Sequence, residues 1–248
     1  MRRICFFLIL LICSLFIKIF ADEIVITRAP HSDYAIIIPN NAKLTEKVSA
    51  NELQYHIQRM SDVKLPIYVE KNIPGNVRNF IYIGNCQATA NVGIVVSKLK
   101  PSAYVIKTVG KNLYLAGRDR VRTGVGNCWA ADWQGTLFSV YDFLENELGV
   151  RWLWPGELGE IIPRKSNIVV KDIDRAGEPK LLSAQLRVSK YPKDSVGWQS
   201  ADNKIKFLDE QKKFLLRHRF SAVQNMSYGH NFRKYWSRFG KTNPEIFN

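Results

Sequence analysis

Cysteine is scarce in this 248-residue chain: four in all, at positions 5, 13, 86 and 128. None has a neighbour at metal-ligand spacing, which excludes a zinc ribbon or finger. Catalytic signatures are missing too. There is no G-x-S-x-G elbow, no H-E-x-x-H and no cysteine–histidine signature. Gly124-Val125-Gly126 lacks the third glycine of a dinucleotide loop, because Trp129 stands in its place. Acidic residues are the minority, 22 against 36 Lys and Arg, for a net charge of +14. That excess suits an anionic partner such as acidic polysaccharide. The basic residues are dispersed, with no run of five or six, and no nucleic-acid motif is present. The reading is a solvated basic surface without a nucleic-acid partner.

Apolar runs are short except at the start. Arg2 and Arg3 precede Ile4–Ile17, and Ala21 supplies a small residue before a cut. Residues 1–21 therefore read as a secretory signal peptide. Lys18 interrupts the run before it reaches the ~20 residues a membrane span requires. No stable span is expected after cleavage, and the destination is secreted or periplasmic. Three of the excess positive charges, and Cys5 and Cys13, leave with the signal. In an exported chain the remaining Cys86 and Cys128 either close one long-loop disulfide or stay as two buried thiols.

What is present is an ordinary globular balance, 46% hydrophobic and 23% charged. Strand patterns cover Ile24–Ile26, Tyr34–Ile38, Leu65–Val69, Phe80–Ile83, Tyr104–Thr108, Leu113–Ala116 and Ile168–Val170, the last strand expected in this part. The Gly110-Lys111 turn makes a hairpin of two of them. A helix capped by Thr45 runs to about Met60, burying Ala50, Leu53, Ile57 and Met60, with His56 beside that stripe. The strongest helical signal begins at Gly135. Leu137, Val140, Tyr141, Leu144 and Leu148 form one apolar stripe, Asp142 and Glu145–Glu147 the wet side, and Gly149 the left-handed end. Trp152 and Trp154 follow as an apolar slab closed by Pro155-Gly156. Trp129 and Trp133 flank a long polar connection, where they either pack or stack on a sugar ring. Glu157 and Glu160 read as surface carboxylates.

Glu178-Pro179 marks a boundary. Residues 22–178 then form an α+β domain, a mixed sheet with helices packed on it. Beyond it, a strand at Leu181–Val188, a helix at Asp202–Arg219 burying Ile205, Leu208, Phe214 and Leu215, and a strand at Ser221–Gln224 read as the start of a parallel (β/α) barrel. A barrel takes ~200 residues or more, so residues 179–248 hold only its beginning.

The stretch GTLFSVYDFLENELGVRWLWPGELGEIIP resembles the end of the accessory domain that precedes the barrel in family 67 alpha-glucuronidases and related bacterial proteins. Family 20 hexosaminidases carry a similar domain. Phe138 stands where the pattern has tyrosine, and the resemblance runs from about Glu23 to the C-terminus. It implies a glycoside hydrolase-like protein acting on carbohydrate without a cofactor, whose two catalytic carboxylates lie on barrel strands past Asn248. No catalytic residue is expected within the chain. Arg187, near the end of the first barrel strand, is placed to hold a carboxylate or sugar hydroxyls, or to fasten the barrel to the first domain. Gly229-His230-Asn231-Phe232 and Asn243–Phe247 resemble the G-H-x-F … H-P-E-x-F loop of the same relatives, with Asn243 in place of histidine. His230 and Asn231 are the further substrate-binding candidates.

The stripe defines a test. Leu144→Asp places a charge on the buried face and is expected to cost about 3 kcal/mol or more. An unchanged urea midpoint would show that the wrong face had been assigned.

Overall fold

In a computed structural model the residues described are 23–120, 133–181, 184, 201–220 and 232–247. The strands are β1 (Ile24–Arg28), β2 (Tyr34–Ile38), β3 (Ile67–Val69), β4 (Asn79–Ile83), β5 (Tyr104–Val109), β6 (Asn112–Gly117), β7 (Asp119–Arg120), β8 (Trp133–Gln134), β9 (Arg151–Trp152), β10 (Glu160–Ile161), β11 (Asn167–Val170) and β12 (Asp174–Gly177). The helices are α1 (Leu44–Ser61), α2 (Gln87–Asn91), α3 (Gly135–Asn146), α4 (Ala201–Arg217) and α5 (Phe232–Phe239).

The main sheet runs β12-β5-β6-β4-β2-β3. Strands β3, β2, β4 and β6 are parallel, and β5 and β12 extend one edge antiparallel. Both faces are covered, which explains the unbroken apolar run of β2. Tyr34, Ile36 and Ile38 join the large core under α1 and α3, while Ala35 and Ile37 join a second core with Tyr82, Cys86 and Tyr114. Pleating sends alternate residues to opposite faces, so one strand serves two cores. This is the mixed α+β layer structure that the strand and helix patterns imply.

Helix α3 is the central element. Its residues from Gly135 to Leu144 are all buried, between α1, β5, β6 and α4. Gly149 takes φ of 81°, the left-handed end expected. Asp142 does not lie on a wet side. It accepts from Tyr104 Oη at 2.7 Å and pairs with Arg175 of β12, which also reaches Glu147 at 2.9 Å. Only its last turn keeps a wet side, with Glu145 half-buried and Asn146 exposed, so the buried Asp142 must find partners inside.

Other corrections share that origin. Ile168–Val170 is not the last strand: β12 follows it, pairing with β5 through backbone groups that its Asp-Arg-Ala-Gly sequence does not advertise. The α1 N-cap is Lys43 rather than Thr45, with Glu46 reaching back to the Lys43 N–H at 2.7 Å. The tryptophan slab divides, since Trp152 is buried and Trp154 is 63% exposed. Helix α4 buries Leu216 and Arg217, while Leu208, Phe214 and Leu215 are half-buried. The strands expected at Leu181–Val188 and Ser221–Gln224 lie outside the described residues, apart from Leu181 and Ala184.

Candidate functional site

In an open sheet with parallel strands, ligands favour the carboxyl ends of the strands, where helix N-termini offer unpaired N–H groups. Here that edge follows β2, β4 and β6, which lead to α1, α2 and, after a longer connection, α3. Each of these helix starts already holds a carboxylate of the protein. Glu46 at α1 accepts from Lys43 N at 2.7 Å and from Asn85 N, just past β4, at 3.0 Å. Gly84 has φ of 77° and lies against the Glu46 side chain, so a Cβ there has no room. Glu70 accepts from Gln87 N and Ala88 N at the start of α2, both at 2.9 Å. Asp119 accepts from Thr136 N at 2.9 Å at the start of α3. The anion-binding positions are therefore occupied from within.

The third of these is the most perturbed. Asp119 as a residue is partly covered, but its carboxyl is enclosed at the α3 N-terminus. Burial pushes its pKa up to about 7, Thr136 opposes the rise, and Glu46 adds to it. Around it Gly117 and Gly135 pass so closely that a Cβ on Gly117 would sit 2.5 Å from the Gly135 oxygen. Thr136 Oγ1 bonds both the N–H and the carbonyl of Gly117, at 3.2 and 3.1 Å. Nearby, the Arg118 and Arg120 guanidinium carbons lie 5.1 and 4.0 Å from the Trp133 ring centroid. Trp133 is half-buried and lies against these two cations, outside both cores.

A second cluster joins α1, α3, β9, β10 and α4. Arg217, 1% exposed, pairs with Glu160 at 2.8 Å and Glu52 at 3.4 Å, its guanidinium carbon 5.2 Å from the Trp152 ring centroid. Lys213 reaches Glu52 at 3.0 Å, Tyr141 Oη donates to Glu52 at 3.2 Å, and Tyr55 Oη donates to Glu160 at 3.0 Å. Trp152 Nε1 donates to His56 Nε2 at 3.3 Å, so His56 Nδ1 carries the proton and donates to the Glu52 carbonyl at 2.7 Å. Burial, with Arg217 adding to it, depresses the His56 pKa and keeps the ring neutral. Burial alone would raise the Glu52 pKa, but Lys213 and Arg217 overcome it and hold the carboxylate ionised. Glu160 is therefore not a surface group: its side chain is 6% exposed.

Neither cluster is equipped for glycoside hydrolysis. A general acid needs a proton near neutral pH and access to the leaving oxygen. Glu52 and Glu160 are ion-paired and covered, and Asp119 is committed to capping α3. Among the described residues, no group of His, Cys, Asp and Glu could hold a metal ion, and no helix is long and apolar enough to cross a membrane. Cys86 is buried, its Sγ 3.6 Å from the Ile83 carbonyl oxygen, and burial pushes its thiol far up, so it is no nucleophile. Cys128, its partner in one of the two readings above, lies outside the described residues, as do Arg187, His230 and Asn231. An ion pair between the first domain and α4 is made by Arg217.

The buried clusters escaped sequence reading because charged residues were assigned to solvent. One signal was available: Arg217 follows an apolar run, Phe214-Leu215-Leu216, at helical spacing from Lys213.

No family model and no curated protein matches the chain. Among solved structures, a family 115 4-O-methyl-alpha-glucuronidase, BtGH115A, described as specific for decorated arabinogalactans, is similar at 12% identity with a TM-score of 0.40. The similarity covers 76% of this chain and 25% of that one, so the chain spans about a quarter of its length.

The Asp119 shift sets a pH dependence. A carboxyl whose folded pKa lies above the unfolded value supports the fold while protonated and loses that support as pH rises through about 7. Asp119→Asn keeps an oxygen to cap α3 and removes the ionisation. Its stability relative to the parent is expected to improve from pH 4 to pH 7.5 and then level off. A difference in unfolding free energy that is flat with pH would show that the carboxyl ionises freely.

Proposed function

We propose that the chain is the N-terminal portion of an exported glycoside hydrolase-like protein that acts on polysaccharide bearing glucuronic acid. The observation carrying this reading is the position of the Gly135–Gly156 stretch. Of the residues that resemble the accessory domain of alpha-glucuronidases, Gly135 to Leu144 are the buried centre of the fold, and Trp152 further along receives Arg217 of α4. The segment after the domain is thus joined to the end of that stretch, which supports reading the stretch as the part that precedes a barrel. Glu46, Glu52, Glu70, Asp119, Asp142 and Glu160 of the first domain are engaged in caps and ion pairs, which supports locating the catalytic pair beyond Asn248. Residues 1–21 supply the export signal.

A non-catalytic carbohydrate-binding module is the second reading. It is favoured by the exposed tip between β9 and β10, where Trp154 is 63% exposed and Leu158 fully so. An open indole face of this kind can stack on a sugar ring.

One experiment separates the two. The protein from residue 23 is produced alone and with the remainder of its reading frame, then assayed for uronic acid released from aryl alpha-glucuronides and glucuronoxylan. Turnover is expected only from the longer protein. Hydrolysis by residues 23–248 alone would refute the assignment of catalysis downstream, and an inactive longer protein that still binds glucuronoxylan would establish the module.

A further inference from the structure

Helix α5 shares neither cluster described above, and its surface has a chemistry of its own. At 100° per residue, Lys234 and Arg238 share one stripe of the helix, and Lys241 follows in the turn beyond it. All three are exposed, and none has an acidic partner among the described residues. Glu245, the acid of the following turn, accepts from Asn243 Nδ2 at 3.3 Å. Beside the basic stripe runs an aromatic one. Tyr235 is 43% exposed and stacks on Phe239 with centroids 6.5 Å apart and planes 17° apart. Trp236 is 53% exposed and meets Phe247 edge-on at 5.2 Å, which fixes its ring while leaving much of it open. Gly240 lies against that indole, and a Cβ added there would sit 2.8 Å from the ring, so the close approach requires glycine.

A row of uncompensated cations alongside fixed, half-open aromatic rings suits a polymer that presents carboxylates and flat apolar C–H faces together. The geometry points to α5 and its following turn as a docking surface for a uronate-bearing polysaccharide. The cations take the carboxylates and the rings take the sugar faces. A lipid surface is the poorer fit. An eight-residue helix whose aromatics already pack on one another offers little apolar area to bury among acyl chains. The inference rests on the polysaccharide reading above for its ligand class, but concerns binding and not turnover.

The test uses residues 23–248 and three probes: polygalacturonate, its highly methyl-esterified form, and vesicles of phosphatidylcholine with phosphatidylserine. Esterification keeps the chain of sugars and removes the charge. Binding to polygalacturonate is expected to weaken with salt, to fall on esterification, and to drop about tenfold in Lys234→Gln/Arg238→Gln/Lys241→Gln, the loss of three exposed ion pairs. Trp236→Ala is expected to weaken both glycan probes alike. These side chains are exposed, so near-ultraviolet circular dichroism of the charge variant should match the parent and exclude misfolding. Equal binding by the triple variant, or vesicles bound more tightly than polygalacturonate, would overturn the assignment. Failure of the longer protein to hydrolyse glycans would leave this measurement untouched, which keeps the two proposals separable.

Discussion

Burial of α3 from Gly135 to Leu144 is the constraint on which the rest depends. A buried stretch of helix must place every polar group against a partner. Thr136 bonds to Gly117, Ser139 donates to the Thr136 carbonyl, Tyr141 reaches Glu52, and Asp142 is held by Tyr104 and Arg175. The partners outside the helix belong to four elements, β6, α1, β5 and β12. Satisfying one helix therefore fixes the end of β6, the position of α1 and the edge strand β12 together. The two-sided core of the parallel strands then closes around a part that is already specified.

The same economy governs the carboxyl edge of the sheet. Three helix starts there would attract an anion through their N–H groups. Glu46, Glu70 and Asp119 occupy them instead. The cost falls on Asp119, whose carboxyl is enclosed and beside another acid. An edge organised in this way stabilises the domain and leaves it without the phosphate-cradle chemistry typical of this sheet type, which agrees with the absence of a glycine-rich loop in the sequence.

The sheet and both long helices were legible because their signals are local. The alternation of β5 and β6, the apolar run of β2, and the helical stripe ending at Gly149 each lie within a few turns of chain. The polar contacts were not legible, because their partners are remote: Arg175 is 33 residues from Asp142, and Arg217 is 165 from Glu52. Read in isolation, each charge belongs in water. Strand β12 was missed for a related reason. It is held by the exposed backbone of β5, and edge pairing requires no apolar pattern of its own.

The junction at Arg217 carries the functional argument furthest. Apolar contact alone would bury Leu216 and the Phe214 ring against the domain, but such a surface tolerates sliding. The guanidinium adds direction, because its planar fork must meet Glu52 on α1 and Glu160 on β10 at once while lying near Trp152. Displacing α4 by one turn would leave two carboxylates buried without their cation, a loss of about 3–5 kcal/mol in comparable pairs. The pair is thus weak as a source of net stability and strong as a register. In the function proposed above, that register holds α4 and the domain before it in one orientation.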